Sequence, residues 1–161
     1  MVDRENKMRV TLSVLDRLID LEPRESREAP KSRSASMAEL RQAVRRDLEW
    51  LLNTRCVFNG DETELVEARR SVAFYGLPDF TGMGVLSNVE QKRLIRALEE
   101  AIRLFEPRFM DLKVVLEPID QLDRQLKFRI QARLDVDPAP EPIAFDSVLQ
   151  PGAGGFVLTE R

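Results

Sequence analysis

A chain of 161 residues, 43% hydrophobic and 33% charged, with a formal net charge of -3, has the balance of one globular domain with or without a tail. Such a chain can bury roughly 68–70% of the surface its unfolded form exposes, and its charge fits neither a basic nucleic-acid binder nor an acidic solvating segment. Histidine is absent and cysteine occurs once, at Cys56, which excludes Cys–His and Ser–His–Asp catalysis, histidine-ligated metals and an intramolecular disulfide.

No apolar run approaches the roughly 20 residues of a membrane helix, and the polar stretch 1–9 lacks a signal-peptide core. A cytoplasmic protein without cofactor or metal is therefore expected. Leu12, Leu15, Leu18 and Ile19, flanked by Val14 and Leu21, recur at helical spacing and predict a short first helix ending near Glu22, before Pro23. Its apolar face needs a partner surface. From 22 to 35 the chain is rich in Glu, Arg, Ser and Pro without an apolar period, which reads as a linker or extended arm. Residues 1–35 are thus expected to form a helix and a flexible arm, and 36–161 a single domain.

Ser36 and Glu39 form a capping box, and Leu40, Val44, Leu48 and Leu51 continue along one face to about Thr54. Arg41, Arg45, Arg46 and Arg55 alternate with Glu39, Asp47 and Glu49, the pattern of a solvated face laced with local ion pairs. Trp50, one position off the stripe, is expected to widen the core face. Asn59, Gly60 and Asp61 predict a turn, followed by a helix over 64–75 that stops at Gly76. The loop 76–82 carries apolar side chains and should fold back onto the core. A second capping box, Ser87 with Glu90, opens a helix lined by Leu94, Ile95, Leu98, Ile102 and Phe105.

That helix ends in Glu106, Pro107 and Arg108. A carboxylate there faces the negative pole of the helix dipole, so a cation should answer it. Pro107 cannot continue the ladder and disfavours helical geometry for Glu106, so the chain must turn. The outcome is a rigid corner with one acid and one base, which is either a helix stop with a local ion pair or a docking point for another protein. The second copy of the tripeptide, Glu22, Pro23 and Arg24, leads into linker and lacks this context.

Beyond the corner the period becomes two. Leu112, Val114 and Leu116 alternate with polar positions, as do Leu126, Phe128, Ile130, Ala132, Leu134 and Val136. With 120–124 as connection and shorter strands at 143–149 and 156–159, the fold class expected is α+β: N-terminal helices packed on a small antiparallel sheet formed by the C-terminal third. Segments 138–142 and 151–155 are read as its loops. Lys127, Arg129 and Arg133 put a row of positive charge on the wet face, either for solubility or for an acidic partner.

The run Leu15, Asp16, Arg17, Leu18, the segment from Glu39 to Leu51, Leu52, Asn53, Thr54, Arg55, the loop 75–82 and the helix entering Glu106, Pro107, Arg108 together resemble TssE. That family comprises the small baseplate wedge subunits of bacterial type VI secretion systems and is similar to the wedge protein of contractile phage tails. The resemblance spans nearly the whole chain, with 137–161 matching only by strand pattern and spacing. It implies a non-enzymatic baseplate subunit beside the cytoplasmic membrane, partnered by TssF and TssG, with TssK in the same assembly, and helping to start polymerisation of the contractile sheath proteins. It also implies that Glu106, Pro107 and Arg108 contact the wedge core. Arg108→Glu is then expected to abolish assembly and leave the monomer unchanged, while an open sheet edge, with the last strand as one candidate, pairs with a sheath strand.

A lysozyme-like glycosidase acting on peptidoglycan is the competing expectation, since phage relatives have carried that label. It needs Glu106 and a second acid, Asp79 or Asp111, about 5–9.5 Å apart across a sugar cleft. One Trp and one Tyr leave few stacking platforms, and Arg108 beside Glu106 favours the ionised carboxylate over the acid such chemistry requires. A free-standing regulator that docks through the second helix has only the abundance of exposed arginine in its favour.

Overall fold

The computed structural model describes residues 10, 12–19, 32–56, 66–80, 87–118, 126–149 and 155–160. Helices α1 (Val14–Leu18), α2 (Arg33–Asn53), α3 (Val66–Arg69) and α4 (Asn88–Phe105) precede strands β1 (Phe109–Leu116), β2 (Leu126–Leu134), β3 (Glu141–Leu149) and β4 (Phe156–Glu160). The strands form an antiparallel meander in the order β1-β2-β3-β4, and the α+β architecture expected from the sequence is the one observed.

Period-two alternation decides which sheet face is dry. Leu126, Phe128, Ile130, Ala132 and Leu134 of β2 point one way with Val114, Ile143, Phe145, Phe156 and Leu158, and all are buried. Leu40, Val44, Leu48, Leu51 and Leu52 of α2 and Leu94, Leu98, Ala101 and Ile102 of α4 close over them in a single core. Each large apolar side chain so buried contributes about 1.5–3 kcal/mol. On the wet face Arg129 bonds Glu117 and, at 2.9 Å, Asp146, while Arg133 reaches Asp111 at 3.2 Å. The charge row is therefore largely answered within the sheet.

Several expectations change. Helix α2 starts before the Ser36 box, because Ser32 caps it through the Ala35 N–H at 3.2 Å and Ser36 instead turns its hydroxyl back to the Ser32 carbonyl. Trp50 is 54% exposed and not a core residue: Leu48, Leu51 and Leu52 fill the helix's buried face, and the indole lies under the Arg46 guanidinium at 5.0 Å. The helix expected over 64–75 is broken, since Ser71 accepts from the Ala73 N–H and starts a separate 3-10 turn, Val72–Phe74. Pro142, placed in a loop by its residue type, is the second residue of β3. The box at Ser87 does cap α4, and Leu77 returns to the core as expected. The turn at 59–61, the connection at 120–124 and most of the arm at 22–35 lie outside the described residues.

Both outer strands carry helix-borne side chains on their edges. Glu99 accepts from the Val114 N–H at 3.2 Å, and Arg103 donates to the Leu112 carbonyl at 3.5 Å, where β1 bulges at Asp111. At β4 the amide of Asn53 accepts from the Phe156 N–H at 2.7 Å and donates to the Phe156 carbonyl at 2.9 Å, as a neighbouring strand would. Leu158, the next residue to turn its backbone away from β3, is completely buried. The last strand, one candidate for an open edge, is thus not available for pairing along Phe156 to Leu158. Asn53→Ala should cost about 1–3 kcal/mol, since two partly buried backbone groups lose their partners. A lower melting midpoint with faster amide exchange at Phe156 is the expected result, and unchanged exchange there would refute the role of Asn53.

Candidate partner-docking site

The corner after α4 forms because Pro107 cannot extend the helix. The Glu106 N–H still donates to the Ile102 carbonyl at 2.8 Å, and its own backbone has already left helical geometry. Two hydrogen bonds then fix the turn: the Phe109 N–H to the Glu106 carbonyl at 3.3 Å, and the Asp135 N–H to the Arg108 carbonyl at 2.9 Å. The second ties the corner to the end of β2.

Glu106 is only 4% exposed, and the cation that its position demands is Arg108. The Arg108 guanidinium grips both carboxylate oxygens of Glu106, through Nε at 2.6 Å to Oε1 and through Nη2 to Oε2, and the Arg108 N–H adds 3.2 Å to Oε1. Nη2 also donates to Asp47 Oδ2 at 2.7 Å. The other Asp47 oxygen accepts from Arg46 Nε at 3.0 Å and Nη2 at 2.7 Å, and Arg46 Nη1 stands 2.8 Å from Asp16 on α1. Ser13 completes the series with a 2.5 Å bond to Asp16. A ladder of alternating charge thus joins the α4 corner, the middle of α2 and the N-terminal helix.

Burial works against the Arg108 charge, but the hydrogen bonds and attraction of Glu106 and Asp47 outweigh it and raise its pKa. Asp16 is likewise lowered, with burial opposing and Ser13, Arg46 and Arg108 prevailing. Tyr75 packs edge-on against Phe105 with ring centroids 5.2 Å apart. Burial first, and then the negative charges of Asp47 and Glu106, push its phenol above the ordinary value.

Of the three residues expected to bind a partner, Pro107 is exposed, Arg108 is partly exposed and Glu106 faces inward. The corner therefore presents Pro107 and the outer part of Arg108, with Glu106 as their mount. Asp47, Arg46 and Asp16 were not singled out by the sequence as parts of this site. Asp47 and Arg46 show in the sequence only as an acidic and a basic residue beside the α2 stripe, which reads equally well as surface pairing, while Asp16 belongs to the run Leu15, Asp16, Arg17, Leu18 without any sign of its partner on α2. The acids considered for glycosidase chemistry each meet a different arginine: Glu106 meets Arg108, Asp79 meets Arg55 at 3.5 Å and Asp111 meets Arg133 at 3.2 Å.

Among the described residues no helix is long and apolar enough to cross a membrane. The family model described as Baseplate wedge protein gp25 matches residues 38–139, which run from the second turn of α2 through the corner to the end of β2 and just beyond. No curated protein matches. A chain of the solved structure described as "The baseplate complex from the type VI secretion system" is similar over 70% of this chain and 96% of that chain, at 16% identity and a TM-score of 0.47.

Proposed function

The chain belongs to the family of Baseplate wedge protein gp25, and from that membership we propose that it is a structural, non-enzymatic wedge subunit of a type VI secretion baseplate. The family match over 38–139 carries this reading, and the ordered segments that resemble TssE specify the system. In that role it docks on TssF and TssG, shares the assembly with TssK, helps to start the contractile sheath, and works at the cytoplasmic face of the membrane. The wedge domain includes all of α2 from Arg33, three residues before the boundary expected at 36, and Val10 and Leu12 of the preceding segment pack on its core.

Docking runs through the Glu106, Pro107, Arg108 corner. A turn pinned by proline and by two backbone bonds loses little entropy when it is buried by a partner. Arg108 is fixed in place because Glu106 and Asp47 take its Nε and Nη2 donors and its Nη1 is buried, so the corner offers a partner a rigid, partly exposed side chain beside Pro107. The test is co-expression with TssF and TssG and capture through a tag on TssG. Wild type should co-purify, and Pro107→Glu should fall at least tenfold while stability changes by less than about 1 kcal/mol, because the site is exposed. Failure of the wild type to co-purify overturns the wedge reading. Equal capture of the folded variant removes the corner from the interface.

A further inference from the structure

Helix α3 stands beside α4, tied to it by Arg69 and Glu100, and the two wall an open cleft of about 560 Å³. From α4 come Arg96, Glu99, Glu100 and Arg103, which share one side of the helix at i, i+3, i+4 and i+7. The end of α3 supplies Arg69 and Arg70, while Val66 and Leu104 add apolar surface. Four arginines thus meet two glutamates, in a chain whose formal net charge is -3.

Both glutamates are already engaged. Glu100 is held by Arg69, and Glu99 takes Arg103 at 3.1 Å and the Val114 N–H at 3.2 Å. Arg70 and Arg96 are exposed and make no ion pair among the described residues, and Arg93, one turn before Arg96, is alike. Apart from Arg17, every described arginine outside this face answers an acid, as Arg33 does Glu141, Arg41 does Glu160 and Arg55 does Asp79. Positive charge left over in one concave place repels itself, and an anion would relieve it.

We propose that this cleft docks a segment of a partner protein in which carboxylates flank an apolar side chain. Charge complementarity selects the carboxylates, which a guanidinium can grip in pairs. Val66 and Leu104 select the apolar residue between them. A cleft between two helices admits one segment of chain and not a flat bilayer, and its apolar walls offer nothing to a phosphate backbone. None of Glu106, Pro107 and Arg108 lines this cleft, so the inference stands whether or not the wedge reading does.

The test is fluorescence anisotropy on the full chain with a labelled probe peptide, a leucine between two runs of three glutamates, and with the same peptide carrying serine for leucine. Wild type should bind the leucine peptide more tightly than the serine one, and both more weakly as salt rises. Arg70→Gln with Arg96→Gln should weaken binding by about tenfold or more at an unchanged melting midpoint, since both side chains are exposed and unpaired. Val66→Ser should erase the preference for leucine. Arg33→Gln with Arg41→Gln, the same loss of charge beside β3 and β4 and so away from the β1 edge, should bind as the wild type does. Absence of binding by the wild type, full binding by the Arg70 and Arg96 variant, or an equal fall in the Arg33 and Arg41 variant overturns the proposal. Equal affinity for the two peptides also overturns it, because an anion site without preference for a protein segment then remains. Tighter binding to phosphatidylglycerol vesicles or to a thymidine oligonucleotide than to the leucine peptide would overturn it in favour of a membrane or a nucleic acid.

Discussion

Arg108→Glu is expected to lower stability by about 3–5 kcal/mol, the cost of breaking a buried ion pair by removing one partner. For a chain of this length that is a fall in melting midpoint of roughly 6–20 °C. Arg108 compensates two acids at once, and one of them, Glu106, is almost wholly shielded from water. A glutamate at 108 would leave Glu106 and Asp47 without that cation and add a third negative charge beside them. Arg46 and its bonds to Asp47 and Asp16 would remain, but it does not reach Glu106. Arg108→Lys should sit between the two, because an ammonium keeps the charge and cannot grip Glu106 and Asp47 together. Urea or thermal melts of the three proteins decide it. A wild-type midpoint for Arg108→Glu would show that the pair contributes nothing to folding. The expectation that this substitution leaves the monomer unchanged therefore does not follow from the geometry, and lost assembly in Arg108→Glu cannot by itself be assigned to a missing contact. Pro107 is the cleaner probe because its side chain is exposed.

What could be read from the sequence was what local physics decides. A carboxylate at a helix C-terminus called for a cation, and Arg108 supplies it two residues away. The Ser87 cap, the α2 and α4 stripes and the alternation of β2 each depend on spacing alone, and they are where spacing put them. The misses are places where a distant group competes. Trp50 lies outside the core against Arg46, which also bonds Asp16 some thirty residues upstream. Asn53 marks only a helix end in the sequence, yet its side chain pairs with Phe156 across the fold. Asp47 looked like one member of a local pair and is the link between two arginines. Periodicity carries no information about such contacts, so the site's first residues were legible and its supports were not.

Gly76→Ala should be the second most damaging of the substitutions considered by the middle of its range, roughly 1.5–6 kcal/mol, and it should act on the site from outside it. Gly76 has φ of +113°, a region that side-chain-bearing residues rarely adopt, and a Cβ there would lie 2.4 Å from the Thr54 carbonyl oxygen and 2.8 Å from its carbon. Thr54 cannot yield easily: its hydroxyl donates to the Trp50 carbonyl at 2.6 Å and its N–H bonds back to Leu51. The clash falls on a short parallel bridge in which the Leu77 N–H donates to the Thr54 carbonyl at 2.9 Å and the Cys56 N–H to the Leu77 carbonyl at 2.8 Å. Backbone strain of about 1–3 kcal/mol and loss of one or both bonds at about 0.5–1.5 kcal/mol each give the range. Gly155 is the control, because a Cβ there meets only the Asn53 side-chain oxygen at 3.4 Å, an ordinary contact, so Gly155→Ala should melt with the wild type. A local readout separates displacement of the loop from general destabilisation. Tyr75, next to Gly76, is the sole tyrosine of the chain, so an ultraviolet titration reports it alone. Its phenol is raised above the ordinary value of about 10 by burial and by Asp47 and Glu106, and it should fall back towards that value once the loop is pushed off α2. A Gly76→Ala protein that melts and titrates as the wild type would mean that the loop does not pack against Thr54 as described.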